Sequence, residues 1–146
     1  MAFASACKQT AMAGYSGTPL VKKLGIKENF QVALIDAPEN FVDQLEPLPA
    51  NIKIVDRAQR SMDLILFFTK SASMLEKKFL KLAQSLKPDG MLWISWPKKT
   101  SGVVTDLTEN IVRDIGLHAG LVDVKVCAVD EVWSGLKFVY RLKDRK

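Results

Sequence analysis

This chain is short of the residues that usually betray a chemistry. It has one histidine, His118, and two cysteines, Cys7 and Cys127, far apart and without CxxC spacing. Neither a zinc site nor a disulfide framework is therefore indicated. His118 has no evident serine or cysteine partner, which argues against a catalytic triad and leaves it a surface or capping role at a helix end. The GxxxxGK[ST] spacing of a phosphate loop is missing, which argues against an ATPase. Apolar runs are shorter than a membrane span and broken by charge, so no membrane is expected and a cytoplasmic protein is the default. No glycine lies between Gly25 and Gly90, and no internal repeat is present.

What is there suits one ordinary domain. A chain of 146 residues with 48% hydrophobic content buries roughly two thirds of the surface its unfolded form exposes. The formal charge is +5, of which Lys143, Asp144, Arg145 and Lys146 supply a net +2. The remaining excess suits a solvated surface better than a nucleic-acid footprint, so nucleic acid is not an expected partner. The expected layout is an N-terminal arm at 1–17, a single α/β domain at 18–142 and a basic tail at 143–146. The arm is rich in small residues but has no basic leader followed by a long apolar block, and it reads as flexible rather than as a signal peptide.

Thr18 and Pro19 predict the capped start of a short helix that Gly25 closes in the left-handed conformation. Gln31 to Asp36 reads as a buried parallel strand, Glu39 to Leu45 as a helical segment, and Ile52 to Val55 as a short strand. Met62 to Phe68 (MDLILFF) reads as an apolar run bounded by polar residues and too short for a typical helix, and predicts the central strand. Ser73 and Glu76 have capping-box spacing before a helix whose Leu75, Phe79, Leu82 and Leu86 share one face. Lys87 to Gly90 predicts a turn with glycine at positive φ, and Met91 to Ser95 the next strand. Asp106 and Glu109 suggest the cap of a further helix with Leu107, Ile111 and Ile115 inward. Val122 to Val129 follows, with Val122, Val124, Val126 and Ala128 on one side, and Leu136, Phe138 and Tyr140 alternate in a last strand. The connection between these two strands is too short for a crossover, so they form an antiparallel hairpin. The fold class is α/β, a three-layer, Rossmann-like and mostly parallel sheet with a C-terminal antiparallel hairpin. Its exposed edges would suit a homodimer.

The candidate ligand-binding group is the segment that leaves the fourth strand. Ser95, Trp96, Lys98, Lys99, Thr100 and Ser101 combine an aromatic face, cations and hydroxyls at the carboxyl edge of the sheet, groups that suit a small anionic or nucleotide-like ligand or a protein partner. Trp93 and Trp96 are expected to pack on the sheet face opposite Leu92 and Ile94. Asp130, Glu131, Trp133 and Ser134 form a polar hairpin connection with an aromatic anchor, and the adjacent acids of such a turn are usually solvated.

The element order, with Leu86-Lys87-Pro88-Asp89-Gly90 before an apolar strand, resembles a shortened S-adenosylmethionine-dependent methyltransferase over Gln31 to Arg141. The segments SGTPLVKKLGIK, SWPKKTSG, TDLTEN and VDVKVCAVDEVWSGLKFVYR resemble a small bacterial domain family without an assigned activity, which implies a bacterial source and supplies no catalytic residues. The methyltransferase resemblance implies S-adenosylmethionine as cofactor, near Asp36, Asp56 and Thr69, with Asp56 where an acidic residue would hold a ribose. The chain departs from that pattern at the turn after the first strand, Asp36-Ala37-Pro38-Glu39-Asn40, where the family has glycines that let backbone approach the cofactor. Phe68-Thr69-Lys70 also lacks the polar-proline-aromatic signature of methyltransferases that act on amino groups. The expected function is a non-catalytic ligand-binding or interaction module on a degenerate methyltransferase-like scaffold. The alternative is a methyltransferase with an atypical cofactor loop.

Overall fold

The computed structural model describes residues 18–145; the expected arm over 1–17, with Cys7, and Lys146 of the expected tail lie outside the described residues. The elements run α1 (Leu20–Leu24), β1 (Gln31–Ile35), a 3-10 turn (Phe41–Leu45), β2 (Lys53–Val55), β3 (Met62–Phe68), α2 (Ala72–Gln84), β4 (Leu86–Pro97), a 3-10 turn (Lys99–Ser101), α3 (Glu109–His118), β5 (Leu121–Ala128), β6 (Trp133–Tyr140) and a last 3-10 turn (Leu142–Asp144). The six strands form one sheet in the order β2-β1-β3-β4-β6-β5. Only β6 runs against its neighbours, pairing antiparallel with both β4 and β5.

Each sheet face carries its own core. Ala33, Ile65, Phe67, Leu92, Ile94 and Phe138 meet α2 and α3 on one side. Val32, Leu64, Leu66, Phe68 and Trp93 meet α1 and the first 3-10 turn on the other. Apart from Asp63, which accepts from Gln31 N–H at 2.8 Å and pairs with Lys87 at 2.9 Å, β3 is apolar, as befits a strand covered on both faces. Trp93 is fully buried and its indole N–H donates to the Leu24 carbonyl at 2.9 Å, tying β4 to α1. Trp96 lies on the opposite face from Trp93, with Leu92 and Ile94, which corrects the expectation that both tryptophans oppose those two residues. Gly116 is buried within α3, where a side chain would collide with the Phe138 ring.

Several local expectations change for identifiable reasons. Pro19 itself is the N-cap of α1, while Gly25 closes it at φ 87° as expected. The cap of α2 is Ser71, whose Oγ accepts from Met74 N–H at 3.2 Å, and Asp106 reaches across from the loop after β4 to accept from Ala72 N–H at 2.8 Å. Thr108 caps α3 instead, accepting from Ile111 N–H. The buried face of α3 is Val112 and Gly116, while Ile111 is exposed and Leu107 precedes the helix. Lys87 to Gly90 is no turn before a strand but a bulge within β4: Met62 pairs with Leu86 and Leu64 with Met91. Gly90 is needed there because a Cβ would lie 2.9 Å from the Met62 carbonyl oxygen, and not for a positive φ. A second bulge, at Asp123 to Lys125 opposite Phe138 and Lys137, breaks the alternation of β5. It leaves Val124 and Val126 exposed on an edge strand.

Candidate functional site

In an open α/β sheet the ligand crevice lies beyond the carboxyl ends of the strands where the chain direction across the sheet reverses. Here β1 lies between β2 and β3, so the reversal falls between the ends of β1 and β3. At the end of β1 the chain turns sharply: Asp36 has φ 55° and Asn40 φ 64°, left-handed backbone that costs a residue with a Cβ. Pro38 between them has no N–H to offer a ligand. At the end of β3, Thr69 N–H donates to the Ser95 carbonyl at 2.9 Å, and its Oγ1 accepts from Ser71 N–H at 3.3 Å.

Between these two ends opens a cleft of about 560 Å³ whose walls include Asp36, Pro38, Thr69, Ser71, Met74 and Trp133. Trp133 is set by its hairpin loop, because one carboxylate oxygen of Asp130 accepts both Val132 N–H and Trp133 N–H at 2.8 Å. The indole stands edge-on to Phe68 at 5.1 Å, and Phe68 in turn to Phe41 at 4.9 Å. The floor is thus a packed aromatic row rather than a mobile loop. The segment between β3 and α2 is clamped from the loop after β4, where Thr105 Oγ1 donates to the Lys70 carbonyl and Asp106 caps Ala72. Asp36 is the carboxylate of this cleft; Lys78 Nζ approaches it at 3.9 Å with both groups well exposed, a weak pairing in solvent.

A second cleft, of about 850 Å³, lies across the Asp36–Pro38 ridge between β1, β2 and the first 3-10 turn, with Asp36, Asn40, Phe41, Ile54, Asp56 and Arg57 among its walls. The three residues expected near a cofactor are therefore split. Asp36 and Thr69 share the first cleft, and Asp36 and Asp56 share the second.

The segment after β4 is placed differently. Ser95 is fully buried with its Oγ donating to the Ser134 carbonyl at 2.9 Å, and Trp96 is 5% exposed within the core. Lys98 N–H donates to the Val132 carbonyl and Ser101 Oγ to the Lys98 carbonyl, both at 2.7 Å. Lys99 and Thr100 are exposed on this tied turn, with Lys98 and Ser101 half-buried. Ser95 and Trp96 thus serve the fold beneath the surface, and only Lys98, Lys99, Thr100 and Ser101 remain accessible. Of the cleft residues, Ser71 and Met74 escaped sequence reasoning; the one available signal was that strand β3 ends in a polar run before a helix.

His118 is exposed at the end of α3, its Nδ1 2.9 Å from the Asp114 carbonyl. Among the described residues no group of three His, Cys, Asp or Glu side chains converges to hold a metal ion, and no helix is long and apolar enough to cross a membrane.

No family model and no curated protein matches this chain. Solved structures do match. A "possible exported protein" from Bordetella parapertussis superposes with TM-score 0.60 at 11% identity, over 83% of this chain and 65% of that one. Precorrin-6y C5,15-methyltransferase from Geobacter metallireducens gives 0.58 at 12% identity, over 84% and 86%. Magnesium protoporphyrin IX methyltransferase from Synechocystis, with bound SAH (S-adenosylhomocysteine), gives 0.55 at 13% identity, over 84% and 78%. At these identities the likeness is one of fold: the chain has a Rossmann-like, methyltransferase-like α/β architecture.

Proposed function

We propose that this protein is a non-catalytic ligand-binding module on a methyltransferase-like scaffold, taking a small ligand in the cleft between Asp36, Thr69 and Trp133. The observation that carries this reading is the connection from β1 to β2. Five residues with Pro38 and no glycine lead into a 3-10 turn of five residues, Phe41–Leu45. Backbone donors that a glycine turn would bring against a cofactor are replaced by a proline ring and by Cβ atoms at Asp36 and Asn40. Such a turn offers S-adenosylmethionine fewer backbone donors and less room than a glycine turn would.

The cleft has the make-up of a recognition site, with an aromatic wall and a few convergent polar groups. It lacks the pairing of a nucleophile with a base that group transfer by the protein itself needs, since Thr69 Oγ1 is engaged with the Ser71 backbone. Amide spectra of the isotope-labelled chain, recorded against a library of small polar aromatic compounds, test the placement. Shifts should concentrate at Thr69, Ser71 and Trp133, and binders that shift only residues elsewhere would remove the cleft from consideration.

A second reading, a methyltransferase with an atypical cofactor loop, draws on the fold likeness, which includes a neighbour with bound SAH. It requires Asp36, Asp56 and Thr69 to act together on one cofactor across the Pro38 ridge. Saturable SAH binding, lost on Asp36→Ala and Asp56→Ala, would establish it.

A further inference from the structure

The side of the hairpin that faces α1 sets two lysines side by side. Lys125 on β5 and Lys137 on β6 are direct cross-strand partners, and like charges placed opposite each other destabilise a sheet. Lys125 Nζ donates to the Lys23 carbonyl at 3.2 Å, over the end of α1. Lys137 is half-buried, with Nζ 5.8 Å from the centre of the Trp93 ring. Burial and then the charges of Lys125 and Lys27 hold its ammonium below the usual lysine range, with only Cys127 acting the other way. Cys127 lies among Lys23, Lys125 and Lys137, although burial outweighs them and raises its thiol.

The ion pairs among the described residues use Lys78, Lys87 and Arg113, and no carboxylate pairs with Lys27, Lys125 or Lys137. Asp123 is close in sequence but is turned to the other face, where it accepts from Arg113 Nε at 2.9 Å. The bulge at 123–125 is what separates them, sending Asp123 toward α3 and Lys125 toward α1.

We propose that the surface between α1 and the β5–β6 hairpin binds a small, multiply charged phosphoryl anion, gripped by the cross-strand pair Lys125 and Lys137. Mutual repulsion in the free protein becomes shared attraction once such an anion sits between the two ammonium groups. Lysine grips phosphate as a compact point charge. Lys137 is half-buried beside its partner Lys125, which favours a small anion over a flat charged surface.

The test uses the full chain with inorganic pyrophosphate as probe and sodium chloride at equal ionic strength as reference. At ten times its dissociation constant, pyrophosphate should raise the melting temperature by about 4 °C over the chloride reference. The rise should vanish in Lys125→Gln/Lys137→Gln, which keeps its fold because the substitutions relieve repulsion. A second readout is alkylation of Cys127, mapped on its own peptide apart from Cys7. Bound anion screens the lysines that favour the thiolate and should slow the reaction by about threefold. An equal rise in chloride, or a rise that persists in the double variant, would overturn the proposal. So would a response to phosphatidylserine vesicles with none to pyrophosphate.

Discussion

Replacing Gly116 by alanine adds one methyl group to the tightest contact between a helix and the sheet. A Cβ at this position would overlap Cε1 of Phe138 and lie 2.5 Å from its Cζ. The ring has little room to yield, being fully buried and edge-on to Phe79 at 5.1 Å. Alanine gains about 1 kcal/mol over glycine inside a helix, whereas forcing volume into a packed core costs typically 1 to about 3 kcal/mol. The overlap with three ring atoms places this case at the upper end, so the net expectation is a loss of about 2 kcal/mol. For a domain of this size that lowers the melting temperature by about 7 °C. Urea unfolding of Gly116→Ala, Phe138→Leu and the double variant measures it, and the cycle should show at least about 1 kcal/mol of rescue in the double variant. A Gly116→Ala protein as stable as the parent would refute the packing of α3 against β6 described above.

Two further expectations concern the site loop and the lysine cluster. Asp130→Ala removes the acceptor of two backbone N–H groups and should cost about 1–2 kcal/mol, with Asp130→Asn recovering part of it and the Trp133 amide shifting in both spectra. Lys137→Met should raise the melting temperature near neutral pH. The folded protein holds the Lys137 pKa below its ordinary 10.5, so the charged form costs stability at neutral pH. That cost fades as pH rises through the folded pKa toward 10.5. The gap between parent and variant should therefore narrow between neutrality and strongly alkaline pH. Tyr140, whose burial raises its pKa, loses stability in the alkaline range in both proteins and cancels from the comparison. A gap that widens with pH would contradict the assignment.

The parts of the fold legible in the sequence are those that hydrophobic spacing alone decides. Met62–Phe68 is a strand because an almost wholly apolar run of seven residues is too short for a typical helix, and Leu75, Phe79 and Leu82 fall inward as their spacing requires. Elements settled by partners distant in sequence were not legible. Asp106 caps α2 and not α3 because the loop after β4 folds back over the end of β3. The valine alternation of β5 fails because its pairing with β6 shifts register between Asp123 and Lys125, a bulge that no local pattern records. The site followed the same division. Asp36 and Thr69 end strands and could be read as edge residues, whereas Ser95 and Trp96 look alike on paper and are covered by the β6 pairing of Trp96 with Ser134. The split of Asp36, Thr69 and Asp56 between two clefts depends on Pro38 standing between them, which only the turn geometry reveals.

In the function proposed here a methyltransferase-like sheet carries a turn that no longer holds the cofactor. Calorimetric titration of the purified chain with SAH tests this most directly. No saturable heat is expected at ligand concentrations up to about 1 mM, which bounds any binding at weaker than about −4 kcal/mol. A one-to-one isotherm with a dissociation constant below about 100 μM, abolished by Asp36→Ala, would contradict it and establish the turn at Asp36 to Asn40 as a working cofactor site.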